Sequence, residues 1–337
     1  REFVTDPMRN LMRKQKKYEL SYEPKSFWEY SRGNNIDKMV NDKKSYENNT
    51  QENFIGKGRG SFLSKFNSEY AKRIIEMWSK ENDKIVDPFA GRSSRPLVST
   101  LLKRNYIGFE VIESNLKEAQ DQYDDISKGR EMGKLKLVNT SSSNILNHLD
   151  KNYADMIYTC PPYFNIEKYE SVEGQLTDIK TYDAFLKEYS QILEKASMVL
   201  KPSGFFVVVL ANFRINGTFY DFVGDTKEVL KNTLIYHDEI ILEMSPAKRH
   251  PLYVQAITNL NCLKTHEYCI VFRKDDNKEK LIERNNDINW SRPLVKDIYT
   301  NRKDLFWADG KKDWINDEFE KSNSFDNYYK QKLILFK

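Results

Sequence analysis

The chain has 337 residues, 39% hydrophobic and 13% aromatic, which is enough for one large domain with appendages and a sizeable core. Charged residues make up 31% and mean hydropathy is −0.73, yet the net charge is only +4, a balance that is compatible with a nucleic-acid partner without demanding one. Cys160, Cys262 and Cys269 form no CxxC pair, which speaks against a zinc site or a disulfide framework and for a reducing compartment. That cysteine spacing gives no expectation of a metal, and since no apolar run reaches membrane-spanning length no membrane association is expected.

Residues 1–60 read as a basic and aromatic arm with a mobile loop. Arg9, Arg13, Lys14, Lys16 and Lys17 precede Tyr18, Tyr22, Phe27, Trp28 and Tyr30, and Asn34 to Asn53 is rich in Asn, Asp and Lys. Gly56-Lys57-Gly58-Arg59-Gly60 is a flexible hinge, read as a linker ahead of a phosphate contact. From Phe62 the pattern becomes regular. A helix over 70–80 should bury Ile74, Ile75, Met77 and Trp78. Strands follow at 84–87, 106–110, 134–139, 156–159, 205–210, 240–244 and 268–273, with helices at 95–104, 113–126, 182–200 and 221–233. Lys201-Pro202-Ser203-Gly204 forms a corner between the long helix and the unbroken apolar strand after it. This alternation predicts an α/β fold, a doubly wound, mostly parallel, seven-stranded Rossmann-like sheet over residues 61–274, with N- and C-terminal appendages. Residues 275–337 mix Lys and Arg with Trp290, Phe306, Trp307, Trp314, Phe319, Tyr328 and Tyr329. Base stacking beside phosphate contacts and plain packing onto the sheet stand level as readings of that segment.

Two stretches carry chemistry. In the first, the strand ending at Asp87 enters Pro88-Phe89-Ala90-Gly91-Arg92-Ser93-Ser94-Arg95, a glycine turn opening a helix. Such a helix start offers unpaired N–H groups. Glu110 ends the next strand about 20 residues on, where dinucleotide-type folds place an acid on ribose hydroxyls. The absence of GxGxxG and of GxxxxGK[ST] disfavours NAD, FAD and a P-loop nucleotidase. In the second, the strand ending at Thr159 runs into Cys160-Pro161-Pro162-Tyr163. The prolines cannot continue a ladder, so the strand stops in a stiff turn presenting two carbonyls, a small side chain and an aromatic ring. His148 and His237 have no evident partner, His266 reads as a strand-start residue and His250 as a loop residue.

In this order and on this strand pattern, Asp87-Pro88-Phe89-Ala90-Gly91 followed by Cys160-Pro161-Pro162-Tyr163 resembles the S-adenosylmethionine-dependent DNA methyltransferases that make N6-methyladenine or N4-methylcytosine. Phe62-Leu63-Ser64-Lys65-Phe66 is similar to their cofactor-side motif, Leu200 to Phe205 to their helix–strand corner, and Thr265-His266-Glu267-Tyr268 to the end of their catalytic domain. The run also resembles methylases carried by bacteriophages and mobile elements. The resemblance implies S-adenosylmethionine as cofactor, held by Phe62, Asp87, Pro88, Phe89, Ala90, Gly91, Glu110 and Ser141. It implies a flipped base whose amino hydrogens are accepted by Cys160 and the Pro161 carbonyl, with Pro162 stiffening the turn and Tyr163 stacking on the base. Lys248, Arg249 and Tyr169 are the candidate nucleic-acid contacts, and residues 275–337 with the arm the candidate recognition region. DNA is the implied partner, with a companion restriction nuclease and a monomer or homodimer in the cytoplasm of a bacterial or phage-infected cell.

The chain departs from the family pattern at three places. Cys160 stands where Asp, Asn or Ser is usual, Gly91-Arg92-Ser93 replaces Gly-x-Gly, and Asn139-Thr140-Ser141-Ser142 stands where Gly-Asp is usual. Serine at the first of these positions accompanies cytosine and aspartate adenine; Cys160 is nearer Ser in size, which leans toward cytosine. Other readings stay open: an RNA or small-molecule methyltransferase, a nucleic-acid-binding protein without turnover, or a Cys160 nucleophile for C5 methylation.

Overall fold

The computed structural model describes residues 26–28, 66–92, 94–166, 171–244 and 256–274. The rest of the 1–60 arm, the 56–60 hinge, Phe62, Tyr169, Lys248, Arg249, His250 and the 275–337 appendage lie outside the described residues. In chain order the elements are β1 (Phe27–Trp28), α1 (Ser68–Trp78), β2 (Lys84–Asp87), α2 (Ser94–Leu101), β3 (Asn105–Glu110), α3 (Glu113–Ile126), β4 (Leu135–Asn139) and β5 (Ala154–Thr159). They continue with α4 (Tyr182–Val199), β6 (Leu200–Leu210), β7 (Phe213–Ile215), β8 (Thr218–Tyr220), α5 (Phe222–Leu230), β9 (Ile235–Glu243) and β10 (His266–Arg273). Short 3-10 turns cover Ser142–Asn147 and Leu176–Asp178.

Side-chain caps set the helix starts. Asn67 accepts from the N–H groups of Glu69 (2.9 Å) and Tyr70 (3.1 Å) at α1, Thr181 from Ala184 (3.3 Å) at α4, and Asp221 from Gly224 (3.1 Å) at α5. Each satisfies a donor that the first helical turn leaves unpaired. α1 buries Tyr70, Ala71, Ile74, Ile75 and Trp78 on the sheet, whereas Met77, expected in the core, is only half-buried on the flank of that stripe.

The main sheet has the order β1-β9-β10-β6-β5-β2-β3-β4. β4, β3, β2, β5 and β6 are parallel, while β10 runs antiparallel between β6 and β9. Phe205 to Leu210 is buried throughout, as a central strand covered on both faces requires. This is the expected doubly wound, Rossmann-like α/β sheet with two differences. An eighth, two-residue strand, β1, joins the edge at β9, with Phe27 opposite Ile241. Trp28 is fully buried there, packed on Tyr70 and Trp78, and the Tyr70 hydroxyl donates toward the carbonyls of Trp28 (3.1 Å) and Glu243 (2.6 Å). The sheet therefore recruits residues from before position 61. The second difference is the expected corner at 201–204, which is already part of β6. Its irregularity survives as a register shift between Ala154 and Met156 on the paired strand. No helix among the described residues is long and apolar enough to cross a membrane.

Candidate active site

The chain leaves β2 for β3 and β4 on one side and returns to β5 on the other. The end of β2 is therefore the topological switch point, where open parallel sheets bind ligands. β2 and β5 are paired in parallel, Ile85 opposite Met156 and Val86 opposite Ile157. They end at the same edge, so the turns over 88–91 and 160–163 emerge from adjacent strands about 4.8 Å apart.

The Asp87 carboxylate fastens the two turns. It is fully buried. One oxygen accepts from the Thr159 hydroxyl (2.6 Å) and the Phe89 N–H (2.9 Å), the other from Arg95 Nε (2.6 Å) and the Tyr106 hydroxyl (2.7 Å). With four donors from the chain converging on it, Asp87 acts on the crevice through the turn. Arg95, on the first turn of α2, also donates through Nη2 to the carbonyls of Phe89 and Ala90. Burial is the largest influence and opposes its charge, but the Asp87 carboxylate, together with Cys160, Tyr106 and Tyr158, more than offsets it and holds the guanidinium above its ordinary range. The Ser142 hydroxyl donates to the Pro88 carbonyl, and the Ala90 N–H to the Phe109 carbonyl (2.9 Å). The carbonyls of Pro88, Phe89 and Ala90 are thus all occupied by the protein.

Gly91 has φ +58°, while a Cβ there would find its nearest neighbours at 3.9 Å. Backbone conformation, not space, selects glycine. Glu110 lies beside it at the end of β3. Burial raises the Glu110 pKa, partly offset by the N–H groups of Ile112, Gly91 and Val111, the first of them donating at 2.8 Å. Asn139 fixes this corner by donating to the carbonyls of Glu110 and Val111, each at 3.0 Å. Ser141 caps the 3-10 turn after β4, accepting from the Ser143 N–H (3.3 Å). A segment not singled out from the sequence closes against it: a Cβ on Gly174 would come within 2.7 Å of Ser141 Cβ and 3.6 Å of Val111 Cγ1.

In the second turn Pro161 is buried and Cys160, Pro162 and Tyr163 are half-buried. Cys160 carries a thiol, as do Cys262 and Cys269, and contributes to the electrostatic environment of Arg95, Tyr158 and Tyr189. The Tyr163 ring meets Phe213 (5.9 Å, 88°) and Phe222 (6.0 Å, 62°), which hold its plane. Phe222 contacts Tyr189 (5.0 Å), and Tyr189 stacks on Phe89 (6.1 Å, 28°). A chain of rings thus runs from the glycine turn to the Pro-Pro-Tyr turn. Phe66, the last residue of the expected cofactor-side motif, meets Tyr158 edge-on (6.0 Å) and lies under the Arg95 guanidinium (5.7 Å).

Arg92 follows Gly91, and its Nε is buried with no hydrogen-bond partner among the described residues. The edge thus combines a half-buried acid, a guanidinium nitrogen unpaired among the described residues and a left-handed glycine. The histidines stand apart: His148 packs on Phe109, His237 on Phe205 and His266, at the start of β10, on Tyr268. Burial lowers the pKa of His237 and His266. No group of three His, Cys, Asp or Glu among the described residues could hold a metal ion.

A family model described as DNA methylase, of N6/N4 type, matches residues 2–121 and 154–333, running into both flanks of the sheet. Among curated proteins no significant match is found. Among solved structures, TrmN from Thermus thermophilus is similar at 11% identity over 64% of this chain and 51% of its own, TM-score 0.45, so the chain spans about half the length of that relative. A putative rRNA-methylase from Clostridium thermocellum is similar at 16% identity over 63% of this chain and 100% of its own, TM-score 0.42. NSun6 from Pyrococcus horikoshii, solved with SFG, is similar at 16% identity over 63% and 52%, TM-score 0.42.

Proposed function

The chain belongs to the DNA methylase family, and from that premise we propose that it transfers the methyl group of S-adenosylmethionine to the amino nitrogen of a flipped-out base in DNA, N4 of cytosine ahead of N6 of adenine. The observation that carries the reading is the Asp87–Thr159 hydrogen bond of 2.6 Å. It ties the turn suited to the methyl donor to the turn suited to the acceptor, across adjacent strands at the switch point.

The residues at the edge fit the cofactor. Glu110 offers a carboxylate to ribose hydroxyls, the unpaired Arg92 Nε suits the methionyl carboxylate, and the left-handed turn at Gly91 brings backbone close. When bound, S-adenosylmethionine supplies a sulfonium-activated methyl group. The remaining work falls to the chain. An exocyclic amino group is a poor nucleophile because its lone pair is delocalised into the ring. The Pro161 carbonyl and the Cys160 sulfur accept its two hydrogens and favour the pyramidal form, whose lone pair points at the methyl carbon. Tyr163, its plane held by Phe213 and Phe222, stacks on the extruded base and offsets part of the cost of unstacking. The Pro161 carbonyl and the Cys160 sulfur would hold the amino group in line for the methyl that the bound cofactor would supply, and the proton surplus on the methylated nitrogen would be lost to solvent. Positioning and electrostatics supply the rate.

The size of Cys160, nearer to serine than to aspartate, supports cytosine. Target-sequence recognition is assigned to residues 275–337 and the basic arm. The test is transfer of tritiated methyl to duplex DNA and, in parallel, to RNA. Incorporation into DNA as N4-methylcytosine supports the reading, N6-methyladenine changes the base, and incorporation into RNA alone overturns the substrate.

A further inference from the structure

The hairpin of β7 and β8 carries a surface that the proposed reaction leaves unused. Its strands pair with Phe213 opposite Tyr220, Arg214 opposite Phe219 and Ile215 opposite Thr218. The two linking residues, Asn216 and Gly217, have φ +49° and +85°, the left-handed pair that makes a tight, pre-twisted two-residue turn. Strand alternation then sorts the side chains. Phe213 and Tyr220 stack on each other (5.2 Å, 19°) on the inner face, where Phe213 also meets Tyr163. Arg214 and Phe219 share the outer face. Phe219 is 51% exposed, and the Arg214 guanidinium lies 5.0 Å from its ring centre while donating through Nη1 to the Gly217 carbonyl (3.2 Å). Nearby on the same edge, Ile166 is 47% exposed. It lies two residues beyond Phe164, whose ring is 6.1 Å from Tyr220.

We propose that this outer face is a DNA-contact element, in which Phe219 packs against the base bordering the gap left by the extruded nucleotide and Arg214 pairs with a flanking phosphate. The inference rests on the proposed function and adds a contact to it. Three features favour a nucleic-acid strand as the occupant. The hairpin's inner face shares a ring contact with Tyr163, so the hairpin borders the place where a base would leave the stack and carries Phe219 and Arg214 on its other face. It presents an aromatic ring with a guanidinium, the pair that stacks on bases and neutralises phosphate. It is pre-organised by its turn, so little ordering entropy is lost on contact. Duplexes opened at one position expose base faces that apolar side chains commonly fill.

The test uses the full chain with S-adenosylhomocysteine and a random-sequence duplex pool, reading DNA affinity by anisotropy over a salt series, beside methyl incorporation and melting temperature. Phe219→Ala should weaken DNA binding about tenfold, as loss of one aromatic stack does, with its melting temperature and its stabilisation by cofactor unchanged. Phe219→Trp should restore binding to within about threefold. Arg214→Gln should reduce the slope of log affinity against log salt by about one. A folded Phe219→Ala chain with wild-type affinity and methyl incorporation overturns the inference while leaving the function intact. A wild-type chain that neither binds nor methylates duplex DNA overturns both.

Discussion

Replacing Asp87 by Asn tests the tie between the two turns. Each oxygen of Asp87 receives one hydroxyl, which can turn and accept, and one obligate donor, the Phe89 N–H on one side and Arg95 Nε on the other. An asparagine amide must place its NH2 opposite one of those obligate donors whichever way it is turned. The substitution also removes the carboxylate charge that is ion-paired with the buried Arg95 guanidinium, at 2.6 Å with Arg95 8% and Asp87 0% exposed. Breaking one partner of a buried pair costs about 3–5 kcal/mol, a large share of the roughly 5–15 kcal/mol that holds a domain folded. The assay is equilibrium urea unfolding followed by circular dichroism, with Asp125→Asn, from the exposed pair with Lys128, as a control whose midpoint stays put. Arg95→Met should cost much less in the Asp87→Asn background than alone, because the two side chains share one interaction. A loss under about 1 kcal/mol for Asp87→Asn, against the buried-pair expectation, or strict additivity of the two substitutions, would refute the reasoning.

Other outcomes follow from the same geometry. Glu110 has a raised pKa in the folded chain because it is buried, so its ionisation opposes folding, and stability is recovered as pH falls through the folded value. Glu110→Gln should therefore melt no lower than wild type at neutral pH, yet lose its thermal stabilisation by S-adenosylmethionine. In the wild type that stabilisation should fade on acidification as the carboxylate protonates; a Gln variant still stabilised by cofactor would remove Glu110 from the site. Cys160→Ser should retain methyl transfer and form no covalent adduct on a 5-fluorocytosine duplex, whereas abolished transfer in the Ser variant with an adduct in wild type would point to C5 chemistry. Tyr163→Ala should lower kcat/KM roughly 5- to 150-fold, the worth of one base stack, with Tyr163→Phe near wild type.

Much of this architecture is legible in the sequence because it rests on period and punctuation. Alternating apolar strands and amphipathic helices place β2 to β6, and the glycine turn and the Pro-Pro turn mark two strand ends that the sheet then brings together. Pairing between them is a non-local fact, which is why the sequence does not reveal Asp87 as a tie between the two turns. Its partners Arg95, Tyr106 and Thr159 are 8, 19 and 72 positions away. A buried arginine on a first helical turn carries no local signature. β1 owes its existence to the Trp28 pocket against Tyr70 and Trp78, and two residues set no period. The β7–β8 hairpin did have a signal, since Asn216-Gly217 between Phe213-Arg214-Ile215 and Thr218-Phe219-Tyr220 is a strong two-residue turn motif. At three residues each, its strands are too short for alternation to stand out.

The most direct measurement is mass spectrometry of nucleosides from DNA of cells expressing the chain, beside DNA from cells expressing Tyr163→Ala. The account predicts N4-methylcytosine in the first and a clearly lower level of it in the second. Methylcytosine modified only at C5, or no methylated base at all from a folded chain that binds S-adenosylmethionine, would contradict it.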